Sequence, residues 1–109
     1  MNPVASGAIT AARKTIRHYQ VNAQQRDAAG LAATLDRLLD EDRTAEVMVT
    51  ALDGAIPVAV ESAGLVCVNR SDVVISSVST STVEVTSRVI NKPKLCNKIE
   101  VRLTIAISD

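Results

Sequence analysis

Residues 98–107 read Lys98-Ile99-Glu100-Val101-Arg102-Leu103-Thr104-Ile105-Ala106-Ile107. Ile99, Val101, Leu103, Ile105 and Ile107 point one way along an extended chain, and Lys98, Glu100, Arg102 and Thr104 the other. Side chains alternate across a strand, so this stretch is a strand with one apolar and one wet face. Upstream, Val83, Val85 and Val89 alternate with Glu84, Thr86 and Arg88, and Asn91-Lys92-Pro93-Lys94 supplies the turn between the two.

The same period extends back to Glu46. Val47, Val49 and Ala51 alternate with Glu46, Met48 and Thr50, and Asp53-Gly54 reads as a hairpin turn. Ile56 to Val60 reads as the return strand, with Pro57 marking an edge or bulge. Ser62-Ala63-Gly64 reads as a turn, followed by strands Leu65–Val68 and Val73–Val78. The run Ser76-Ser77-Val78-Ser79-Thr80-Ser81-Thr82-Val83 fits either a hairpin tipped at Ser79–Ser81 or one extended strand with a small polar face.

Before residue 43 the period is helical. Asn2-Pro3 is a start signal, and Ala5, Ala8, Ile9, Ala12, Ile16 and Tyr19 form one stripe at three- and four-residue spacing. Asn22 with Gln25 resembles a capping box, opening a second helix faced by Ala28, Leu31, Leu35, Leu38 and Leu39 despite Gly30. A single helix bent near residues 20–23 is the alternative to this hairpin.

The expected fold is therefore α+β over one domain, residues 1–109, helical over 3–42 and β-rich over 45–108. A helical hairpin, or a bent helix, packs on a five- to six-stranded, mainly antiparallel sheet. A β-sandwich with a helical arm is the rival arrangement.

The chain has one aromatic residue, Tyr19, and no Phe or Trp among its 109 residues. Its core must come from Val, Ile, Leu and Ala, which favours help from a partner subunit and removes stacking platforms for bases. Twelve Lys and Arg balance twelve Asp and Glu, which argues against bulk attraction to nucleic acid or an anionic membrane. No apolar run approaches a membrane span, and the segment after Met1 lacks the pattern of a signal peptide. Cys67 and Cys96 read as separate buried thiols in a reducing compartment. A cytoplasmic or virion-associated location follows.

The charge is segregated. Residues 1–35 are net basic and residues 36–61 net acidic, while residues 86–108 are basic through Arg88, Lys92, Lys94, Lys98 and Arg102 against Glu100.

Motifs for chemistry are absent. One His and two distant Cys give no metal-ligand spacing, and the acidic run Asp36, Asp40, Glu41, Asp42 lacks an EF-hand pattern. Partial neutralisation of that run falls to Arg37 and Arg43. A triad of His18, Cys67 and an Asp would need a geometry that nothing in the spacing implies. The four glycines are isolated, so no phosphate-binding loop or dinucleotide fingerprint is present. No catalytic residue, metal or cofactor is expected.

These features point to a non-enzymatic structural or assembly subunit acting as a homo-oligomer, for example within a viral or phage-like particle. Its expected contact face is Val78, Thr80, Thr82, Glu84 and Thr86. The alternative is an oligomeric binding module for a small anionic ligand or a partner protein, with Arg88, Lys94, Lys98 and Arg102 as the anion-binding set. Nucleic acid has two candidate patches, Arg13, Lys14, Arg17, His18 and Arg26 on the first helix and Lys92, Lys94, Lys98 and Arg102 as a second, but with phosphate contacts alone available it ranks below both.

Overall fold

In a computed structural model, residues 15–41, 43–86 and 92–106 are described. Strand β1 (Thr15–Gln20) leads to helix α1 (Ala28–Asp40) and strand β2 (Thr44–Leu52). A short 3-10 turn, Asp53–Ala55, then enters helix α2 (Ile56–Asn69), followed by strands β3 (Val73–Thr86) and β4 (Pro93–Ile105). The four strands form one mixed sheet in the order β1-β2-β4-β3. Only the β1–β2 pair is parallel, joined by the α1 crossover; β4 is antiparallel to both of its neighbours.

The α+β class and the layering of helices on a sheet hold. The alternation of β2 and β4 holds as well: Val47, Val49, Ala51, Ile99, Val101 and Leu103 enter the core cluster. They pack beneath Leu31, Leu35 and Leu39 of α1 and Val58, Ala59, Ala63 and Val66 of α2. A fully buried Leu stabilises by roughly 2–3 kcal/mol, so this seam holds the two layers together.

Several expectations fail. Thr15–Gln20 is a strand, not the end of a helix. Its β-branched and aromatic residues suit a pleated edge, and register with β2 overrides the weak helical stripe. Residues 3–14 of the expected first helix lie outside the described residues. The second helix starts later than expected: Asn22 Oδ1 accepts the Gln24 N–H at 2.7 Å in a local turn, whereas Asp27 caps α1 by accepting the Gly30 N–H at 3.1 Å.

The expected strands at Ile56–Val60 and Leu65–Val68, with their turn at Ser62–Gly64, are one continuous helix. Short apolar runs are ambiguous between buried helix and strand, and Pro57 sits in the first turn, where its missing N–H costs nothing. Asp53–Gly54 is accordingly no hairpin: Asp53 adopts φ 42° and the chain turns straight into α2.

The Ser/Thr run belongs to a single extended strand, the second of the two forms the sequence allows. A bulge falls between Ile75 and Ser77, where the Ser76 hydroxyl lies 2.6 Å from Thr104 Oγ1. Among the described residues the sheet thus has four strands, not five or six, and they form one sheet rather than a sandwich.

The β2–β4 register ends at Leu52 opposite Lys98, yet β3 and β4 stay paired out to Thr86 and Pro93. Residues 82–86 and 93–97 therefore project as a two-stranded ribbon about 17 Å beyond the sheet, at about 3.3 Å per residue. The radius of gyration is 16.4 Å with extents of 63 × 25 × 19 Å. A compact domain of about 100 residues would have a radius near 13 Å.

Candidate functional site

The ribbon is the feature that packing of the core does not explain. Register separates its two faces. Val85 is opposite Lys94 and Ser81 opposite Lys98, on the side of the sheet away from the helices. Thr80, Thr82, Glu84 and Thr86 face Ile99, Asn97, Leu95 and Pro93 on the other side.

The base of the ribbon is clamped. Asp53 Oδ1 accepts the Asn97 N–H at 2.9 Å, linking the entry to α2 with β4. That bond, with a second from the Cys96 thiol, holds the Asp53 carboxyl below its usual range. The same carboxylate raises the Cys96 thiol, which is buried. Cys67 is also raised, chiefly by burial, and both cysteines are free thiols.

Both ends of the molecule carry cations and carboxylates, Asp27, Asp53 and Glu84 lying at the ribbon end. β1 and β2 both finish at the ribbon end, so both helices start there, with their partly positive N-termini. Arg26, Lys92, Lys94 and Lys98 lie at this end. Arg26 Nη1 donates to the Ala23 and Gln25 carbonyls at 2.9 and 2.8 Å, holding it in the β1–α1 loop. At the far end, Arg70 lies 3.6 Å from Asp36, 3.0 Å from Asp40 and 2.9 Å from Asp72. Its two-pronged bond to Asp72 is the main reason its pKa is raised further. Arg70, together with Arg17, which lies 3.1 Å from Glu41, thus pairs with the acidic end of α1; among the described residues no ion pair links Arg37 or Arg43 to it.

The expected anion-binding set is split. Arg88 lies outside the described residues. Lys94, Lys98 and Arg102 share the open face along β4. Arg102 is paired with Glu46 at 3.1 Å, and Lys98 lies 4.0 Å from Glu100. Lys92 and Lys94 have no carboxylate within ion-pair distance among the described residues.

The expected contact residues Val78, Thr80, Thr82, Glu84 and Thr86 share one face of β3, which is the edge strand. Val78 is exposed, as are Ile75 and Leu95 on the same side. Helix α2 is apolar nearly all round, leaving Val60 and Val68 in solvent (49% and 82% exposed).

His18 and Cys67 cannot act together. His18 pairs in register with Met48 on the open face, whereas Cys67 packs against the core on α2 across the sheet. Among the described residues no group of three His, Cys, Asp or Glu could hold a metal ion, and no helix is long and apolar enough to cross a membrane.

No family model and no curated protein matches the chain. Solved structures do. Alba from Thermoplasma volcanium superposes with a TM-score of 0.68 at 12% identity, covering 81% of this chain and 99% of that one. The fold is the Alba fold. ALBA1 from Trypanosoma brucei superposes at 0.56 with 26% identity, over 83% of this chain and 70% of that one. The Alba likeness overturns two expectations, the particle-type structural subunit and the low rank given to nucleic acid. The lysines of the second patch are visible in the sequence; net charge and the scarcity of aromatics rank them low because neither reveals that a projecting ribbon carries them. The non-enzymatic reading stands with the Alba fold.

Proposed function

We propose that this chain is a nucleic-acid-binding protein that works as a homo-oligomer, gripping the phosphate backbone with the ribbon end. Alba proteins are oligomeric nucleic-acid-binding proteins. The observation that carries the reading is the likeness to ALBA1, 26% identical over 83% of the chain, in a molecule whose ribbon end bears Lys92 and Lys94 with no carboxylate within ion-pair distance among the described residues.

Electrostatics supports the same end. Arg26, Lys92, Lys94 and Lys98 gather where both helix N-termini point, and the carboxylates of Asp36, Asp40 and Asp72 are at the far end, engaged by Arg70. A net charge of zero is compatible with this, because backbone contacts depend on the local patch. With its single aromatic, Tyr19, packed against the core, affinity comes mainly from phosphate contacts and sequence preference is weak.

Self-association uses the opposite side. Val60 and Val68 of α2, with Ile75, Val78 and Leu95, expose more apolar surface than a solvated helix and edge strand require. A second copy covering it leaves the lysine face of each ribbon open. Val78, Thr80, Thr82, Glu84 and Thr86 lie on the covered side. A reducing setting belongs to this reading, since both thiols are free.

The test is a binding titration of a fluorescent 20-mer duplex and single strand across salt concentrations. Affinity should fall steeply with salt, and Lys92→Ala with Lys94→Ala should flatten the log–log slope by about two phosphate contacts. A slope unchanged by the double substitution would place the contact elsewhere.

A further inference from the structure

Beside the base of the ribbon, on the open face of the sheet, lies a hollow of about 200 Å³ lined by Gln20, Thr50, Leu52, Val83 and Lys98. It forms because β1 runs parallel to β2, bringing Gln20 level with Thr50, while β4 and β3 supply Lys98 and Val83. Its chemistry is mixed in a particular way. Leu52 and Val83 provide apolar walls. The Gln20 amide can donate and accept, the Thr50 hydroxyl can do both, and Lys98 donates. Gln20 and Thr50 make no side-chain hydrogen bond among the described residues, and the carboxylate within ion-pair distance of Lys98 among them is Glu100, at 4.0 Å, too far for a hydrogen bond.

A ligand matching these groups is flat and apolar on its faces, carries donors and acceptors on its edge, and is joined to negative charge. A nucleobase on its sugar-phosphate has those properties. A base inside a duplex has both faces stacked and its pairing edge occupied, so it cannot enter; an unstacked base of a single strand or loop can. We propose that this hollow seats one unstacked nucleobase of a bound single strand, with Gln20 and Thr50 reading its edge and Lys98 meeting the adjoining phosphate. The proposal rests on the nucleic-acid reading above and narrows it: the ribbon lysines hold any polyanion, and the hollow distinguishes an open strand from a duplex.

The test uses the full chain and three probes at one salt concentration: a single-stranded 20-mer, the same strand made abasic, and the corresponding duplex. The variant is Gln20→Ala with Thr50→Val; the first position is exposed and the second substitution keeps the β-branch, so the sheet is preserved. The wild type should prefer the single strand over the abasic strand by about ten-fold, the scale of one or two hydrogen bonds. The variant should lose that preference while keeping its salt slope and duplex affinity. Equal binding of all three probes by wild type and variant overturns the base seat and leaves the nucleic-acid reading standing. No binding of any probe overturns both. Tight binding of a free nucleoside monophosphate, without binding of the strands, would make the hollow a metabolite site and overturn the proposal.

Discussion

Asp53 sits at φ 42° and ties the α2 entry to β4 through the Asn97 N–H. The Asn97 N–H, with the Cys96 thiol, holds its carboxyl below the usual carboxylate range, so the anion is favoured by folding. The stability this contributes is fully present above about pH 4 and is lost as pH falls through the lower folded-state value. Asp53→Asn, which tolerates the left-handed backbone, should flatten the pH dependence of unfolding below pH 4, as followed by urea titration. An unchanged pH profile would show that the clamp contributes nothing.

Asp27 is the second testable residue. Its cap on Gly30 should make Asp27→Ala less stable by about 1 kcal/mol in the same assay. Gly30 itself is explained by that cap: an added Cβ would come within 2.5 Å of Asp27 Oδ2. The sequence exposed the glycine but gave no sign of the carboxylate it accommodates. The alternation of residues 98–107 also put Lys98 on the wet face, where it lies, whereas Lys94, read as part of the turn, is already in β4. Gln20 and Thr50 escaped notice because only a parallel β1–β2 register brings them together.

Among the elements, β2, β4 and α1's apolar face were legible because each repeats one period over several residues. Leu35 is fully buried in that face, and Leu35→Ala should cost about 2–5 kcal/mol in a denaturant titration. Helix α2 was not legible. Its Val and Ala residues are apolar on every side, so no helical stripe stands out, and Pro57 reads equally as a strand edge. β1 was hidden for the opposite reason: six residues carry too little pattern to outweigh their neighbours, and pairing with β2 decides their state. The Ser/Thr run could be extended or folded at its tip, and the long partner strand β4 makes it extended.

At the scale of the whole molecule, the ribbon and the bare side of α2 define two surfaces with different tasks. Val68→Lys with Val60→Lys should reduce native mass to that of one chain by light scattering while leaving the fold intact. Val78→Lys should act in the same direction if the edge strand joins the contact. An unchanged mass for all three would remove this side from the interface.

The central claim concerns the other surface, and amide chemical-shift mapping on addition of a short single strand addresses it directly. Shifts should concentrate at residues 20–26, 80–86 and 92–98, with residues 36–41 and 70–72 undisturbed. Shifts confined to the Arg70 end, or none at saturating strand concentration, would contradict a nucleic-acid grip by the ribbon.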